Sequence, residues 1–176
     1  MFGTLEKICA LALALVWVAA AHADPKPEAH WQEYKSVQGG FRVEMPMKPM
    51  EDAKTLPSAP DHKMYVVSAN FGPGGMLAVA SDLAADRAAS PDQVLDVARD
   101  TALKSMNATV VSEKKETLGQ FSARRLDYTM AGGFGGTMRL VVAGNRLYQV
   151  NVIGPAGFGE SAEARRFVDS FALTSQ

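Results

Sequence analysis

Three methionines stand close together in the stretch EMPMKPM: Met45, Met47 and Met50. Thioether sulfur is a soft ligand suited to Cu(I), so these residues form a candidate metal site, with His62 and Met64 following shortly after. A plainer reading competes. Met45 continues the alternation of Phe41 and Val43 and so belongs to the buried face of a strand, which leaves Met47 and Met50 to cover a sheet edge. Other metal or nucleophilic chemistry lacks its residues. The only cysteine is Cys9, in the leading apolar run, and the three histidines form no His-x-x-His or His-Glu-x-x-His pattern. Thiol catalysis, blue copper and a zinc site of standard spacing are therefore unsupported. No serine lies in Gly-x-Ser-x-Gly. Asp82, Asp86, Asp92, Asp96 and Asp100 read as solvated residues or helix charges. No enzymatic activity and no cofactor are expected.

The run AGGFGG at 131–136 raises the question of phosphate binding. A dinucleotide fingerprint needs Gly-x-Gly-x-x-Gly at the start of a helix, and a P-loop needs a following Gly-Lys-Ser/Thr. Here the run leads from one strand into another, so no helix N-terminus receives a phosphate, and a hairpin loop is expected. Phe134 sits at its tip. A second glycine-flanked aromatic, Phe158, lies in GPAGFGE at 154–160. Hairpin geometry puts Phe134 and Phe158 at the same end of the sheet, where they form a candidate partner-binding rim. In the alternative, Phe158 folds inward onto the final helix and Phe134 covers an edge of the core.

The elements that position these residues follow from periodicity. Strands are predicted over 31–36 and 41–46 around Val37-Gln38-Gly39-Gly40, over 62–71 and 76–84 around Gly72-Pro73-Gly74-Gly75, over 108–118 and 121–130 around Gly119-Gln120, and over 137–144 and 146–154 around Gly144-Asn145. Residues 47–61 hold Pro49, Pro57 and Pro60 and are expected to form a loop or irregular edge. A helix is predicted over 90–107, with Ser90 as N-cap, Pro91 at the first helical position and Gln93 completing a capping box. Leu95, Ala98, Ala102 and Met106 share one face of it. A second helix over 160–171 turns Ala164, Phe167, Val168 and Phe171 inward. The pattern is α+β: an antiparallel sheet of about 6–8 strands built from hairpins, with helices packed on its faces.

At the N-terminus, Lys7 precedes an apolar run from Ile8 to Ala21, and Ala21-His22-Ala23 supplies a cleavage site. Residues 1–23 read as a secretory signal peptide, 24–30 as a flexible lead-in and 31–176 as a single domain. The mature chain is expected to be periplasmic or secreted, monomeric, and without a stable membrane anchor. It lacks cysteine, so its core must suffice without disulfides. The full chain carries a net charge of −1, and loss of Glu6 and Lys7 leaves that unchanged. Such a balance gives no pull toward nucleic acid. Arg124-Arg125 and Arg165-Arg166, the nearest things to basic patches, read as solvated faces.

Three features together resemble a known fold. They are W…Y…GGFRVEMPMKP near the start, RLYQVNVIGP at 146–155, and a closing helix ending RRFVDSFAL. With the mid-chain helix they look like the PsbP-like superfamily, named for a photosystem II extrinsic subunit and sharing its fold with a yeast-type Ran-binding import factor and several bacterial envelope proteins. The resemblance covers most of 31–174. Its marks are packing signatures: the Phe41-x-Val43-x-x-Pro46 strand end, the Tyr148 strand, and the Phe167…Ser170-Phe171 helix end. It implies an antiparallel sheet with helices on its faces, and a binding or assembly role toward an envelope protein or small ligand.

Overall fold

The computed structural model describes residues 29–174, apart from 57–58 and 84–89. The expected signal peptide and most of the lead-in lie outside the described residues. The strands are β1 (Gln32–Ser36), β2 (Phe41–Met45), β3 (Met50–Leu56), β4 (Ala59–Phe71), β5 (Gly74–Asp82), β6 (Ala108–Leu118), β7 (Phe121–Met130), β8 (Phe134–Ala143), β9 (Arg146–Pro155) and β10 (Ala172–Leu173). The helices are α1 (Pro91–Met106) and α2 (Ala162–Ser170). Among the described residues no helix is long and apolar enough to cross a membrane.

Glycine turns set the hairpins. Gly72, Gly119 and Gly144 all hold positive φ between paired strands, a conformation that L side chains avoid. The resulting sheet runs β3-β4-β5-β9-β8-β7-β6, antiparallel throughout. From β5 the chain passes through α1 to the far edge at β6, then returns strand by strand to β9. The expected α+β class and antiparallel hairpins are observed. One detail differs: β1, β2 and β10 form a separate three-stranded sheet. Of the loop or irregular edge expected at 47–61, the edge forms, because residues 50–56 pair with β4 at the end of the large sheet with a register shift between Thr55 and Leu56. The prolines at 49 and 57 bracket that strand without interrupting it, and an edge position exposes both its faces enough to blur the alternation.

One face of the large sheet packs against the small sheet and α2. Phe41, Tyr148 and Phe171 meet at the centre of this layer, with ring centroids 5.5 to 6.4 Å apart. Ser170 ties the layers further: its hydroxyl accepts from the Glu44 backbone N–H at 2.9 Å and donates to the Phe167 carbonyl at 2.8 Å. On the opposite face α1 lies over β6, β7 and β8. Leu95, Ala98, Ala102 and Met106 are all buried there, against Leu126, Met138 and Leu140. The alanines let the helix approach closely. Its predicted capping box is present: the Gln93 N–H donates to Ser90 Oγ at 3.3 Å, and the Ser90 N–H donates to Gln93 Oε1 at 2.9 Å.

Candidate functional site

The glycine run has two structural duties. Gly132 and Gly133 hold φ of 78° and 76° in a tight turn at 131–133, as a hairpin requires. Gly135 and Gly136, expected in the loop, instead lie within β8. A Cβ on Gly136 would stand 1.8 Å from the Val152 carbonyl oxygen. Gly159 packs directly on Gly136, where its own Cβ would come within 3.0 Å of the backbone. Phe158 lies on two further glycines: a Cβ on Gly74 would fall 2.2 Å, and one on Gly154 2.6 Å, from its ring. These glycines form a seat for the turn at 158–160.

Phe134 pairs across the sheet with Met130 and Pro155, just before that turn, so Phe134 and Phe158 do stand at one end of the sheet. Both are half-buried. The Phe158 ring packs against the main core cluster, over Gly74 and Gly154.

The methionines part company. Met45 is fully buried among the core residues between the sheets, whereas Met47 and Met50 are 39% and 62% exposed. Among the described residues no group of three or more His, Cys, Asp or Glu could hold a metal ion.

The hairpin of β6 and β7, predicted as strands around Gly119-Gln120, holds a feature that periodicity alone does not mark as a site. Counting back from its Gly119-Gln120 turn, Lys114 pairs with Arg125 and Lys115 with Arg124. Across the next ladder Arg125 pairs with Arg139. Residues directly opposite each other share a face. Lys114, Arg125 and Arg139 therefore line up across three strands on the α2 face, with Lys115 and Arg124 on the α1 face. Like charges placed so are unfavourable, and the surrounding carboxylates show how the fold meets this. Arg124, read as solvated, is only 3% exposed. It touches Asp96 and binds Glu113 at 2.8 Å, and Arg99 binds the same Glu113 at 3.0 Å. Burial alone would raise the Glu113 carboxyl, but hydrogen bonds from Arg124 and Arg99 and their charges hold it below the ordinary range. Lys115 reaches Asp92 at 3.1 Å. Arg139 lies 2.6 Å from Glu116, and Arg125 contacts Asp169 of α2 and, at 3.6 Å, Glu116. Lys114 has no ion pair among the described residues and is exposed.

β6 is an edge of the sheet, exposed along most of its length. A bulge falls between Val110 and Ser112, and Val111 within it is 66% exposed. The predicted turn at Gly119-Gln120 already carried the register that aligns the cations. What the sequence could not carry was the depth of Arg124, because that depends on where α1 lands.

No protein-family model and no curated protein matches the chain. Solved structures do. The solution structure of cyanobacterial PsbP (CyanoP) from Synechocystis matches with a TM-score of 0.51 at 8% identity, over 88% of this chain and 98% of that one. The Ran-binding protein Mog1p of Saccharomyces cerevisiae gives a TM-score of 0.49 at 10% identity, over 84% of this chain and 97% of that one. LpqN, involved in cell envelope biogenesis of Mycobacterium tuberculosis, gives 0.43 at 15% identity, over 90% of each chain. The two antiparallel sheets of the described residues, with α2 closing the layer between them, thus have the PsbP-like fold.

Proposed function

We propose that this protein is an exported, non-catalytic accessory protein of the bacterial envelope, and that it binds another protein through the β6–β7 hairpin. The observation that carries the binding half is an 11-residue exposed edge strand whose Lys114-Lys115 faces Arg124-Arg125. An unpaired edge presents backbone donors and acceptors to a second chain, and exposed Lys114, without an ion pair among the described residues, gives it a charge preference. The export half rests on the apolar run ending at Ala21-His22-Ala23. Two measurements test these halves separately. The protein recovered from the periplasm should have an intact mass beginning at Asp24, and a retained N-terminus overturns export. A photo-crosslinking residue at exposed Thr117 of β6 should trap one discrete envelope protein that the same residue at exposed Lys48 does not. Equal trapping at both positions, or none at Thr117, overturns the hairpin as the binding surface.

A further inference from the structure

We propose that the partner presents an extended acidic segment, which adds to β6 as an eighth strand and sets adjacent carboxylates against Lys114 and Lys115. This rests on the hairpin being the binding surface and names the chemistry that the surface selects. Adjacent residues of a strand point to opposite faces. A segment laid along β6 with two consecutive acidic residues opposite Lys114 and Lys115 therefore sends one carboxylate to each face. One continues the Lys114–Arg125–Arg139 row, and the other meets Lys115 beside Arg124.

The chain already shows that carboxylates satisfy these rows, because Asp169 and Glu116 serve Arg125, and Asp92 serves Lys115. At the outer end of the first row, Lys114 has no such partner among the described residues. Lysines on an edge strand normally discourage pairing, since a neutral or basic strand must bury or oppose them. An acidic pair opposite Lys114 and Lys115 meets neither obstacle, and the flanking Glu113 and Glu116 are already engaged by Arg99, Arg124, Arg125 and Arg139, so the two lysines act as a filter. The two edges also differ. β3, at the other end of the sheet, carries Glu51 beside an Asp52–Lys54 ion pair, so Glu51 opposes an acidic segment there. Exposed Val110 and Val111, at one end of β6, suit a β-branched residue flanking the acidic pair.

The test uses the full purified chain and a fluorescent peptide, Thr-Val-Thr-Asp-Asp-Thr-Val-Thr, with Asn-Asn and Lys-Lys versions as controls. Anisotropy at low salt should show binding of the Asp-Asp peptide that weakens at least about tenfold for Asn-Asn, vanishes for Lys-Lys and falls as salt screens the charges. Lys114→Gln should weaken it similarly while leaving the melting temperature unchanged, because Lys114 is exposed and has no ion pair among the described residues. Hydrogen exchange should gain protection at alternate amides of β6 and not of β3. Equal binding of the Asp-Asp and Asn-Asn peptides overturns the acidic segment, as does protection on β3. Self-association through β6 without peptide, seen by light scattering, also overturns it in favour of a second copy. If the crosslink at Thr117 traps a partner equally well with Lys114 and with Lys114→Gln, the surface stands and its acidic selectivity falls.

Discussion

Gly136 has no room for a side chain. A Cβ there would overlap the Val152 carbonyl oxygen, and backbone cannot step aside as a flexible side chain can. Gly133 differs: nothing lies within 4 Å of its would-be Cβ, and only its φ of 76° requires glycine. Gly136→Ala should therefore cost roughly 1–3 kcal/mol or more by forcing β8 and β9 apart. Gly133→Ala should cost about 1–2 kcal/mol, the strain of a left-handed residue. Asparagine at 133 should recover part of that loss and at 136 none, because Asn tolerates left-handed backbone but still needs space. Urea unfolding of the four variants checks this, and recovery by Asn at 136 would mean that the close approach is not what demands glycine. The sequence made the run legible as a turn, and Gly132 and Gly133 are one. It gave no hint that Gly135 and Gly136 serve contacts with β7, β9 and the 158–160 turn, since those contacts are tertiary. Met45 shows the opposite case, its burial following directly from the alternation of Phe41 and Val43.

At the level of elements, α1 is the part most completely written in local sequence. Cap, first-turn proline and apolar stripe all stand where periodicity put them. Leu95 is fully buried beneath it, so Leu95→Ala should cost on the order of 2–5 kcal/mol, whereas Ser90→Ala should cost about 1 kcal/mol through loss of the cap. A Leu95 effect as small as that of Ser90 in chemical denaturation would show that the helix presents a different face. The link between α1 and the hairpin is ionic, and this makes it sensitive to pH. Glu113 has a folded pKa below its ordinary 4.5, so its contribution is present above about that pH and is lost as pH falls through the folded value. Glu113→Gln should lower the melting temperature at neutral pH, and the gap from wild type should narrow once the pH is lowered past 4.5. A gap that persists at acid pH would mean that Glu113 acts through packing. β3 was the element least visible in advance, because proline density outweighed a seven-residue run whose pairing depends on β4.

At the largest scale, the described residues form two sheets that share one apolar layer, and this decides how they unfold. β1 and β2 have five residues each and β10 only two, too little for a sheet that stands alone. The small sheet is held by what it buries: Phe41, Val43 and Met45, fully inside, meet Phe167 and Phe171 and the inner face of the large sheet. That face, in turn, would expose Val150, Val152 and Tyr148 if the small sheet left. Neither layer can shed the other without uncovering a core, so the two should unfold as one unit. Phe171 is the residue to probe, because its ring touches Phe41 of the small sheet and Tyr148 of the large one. Phe171→Ala should cost about 3–5 kcal/mol, lowering the urea midpoint while leaving the slope of the transition unchanged. Native-state hydrogen exchange should show amides of β1, β2, β8 and β9 losing protection by the same amount. If instead only β1 and β2 open, and the urea slope falls, the small sheet is a separable flap rather than half of the core.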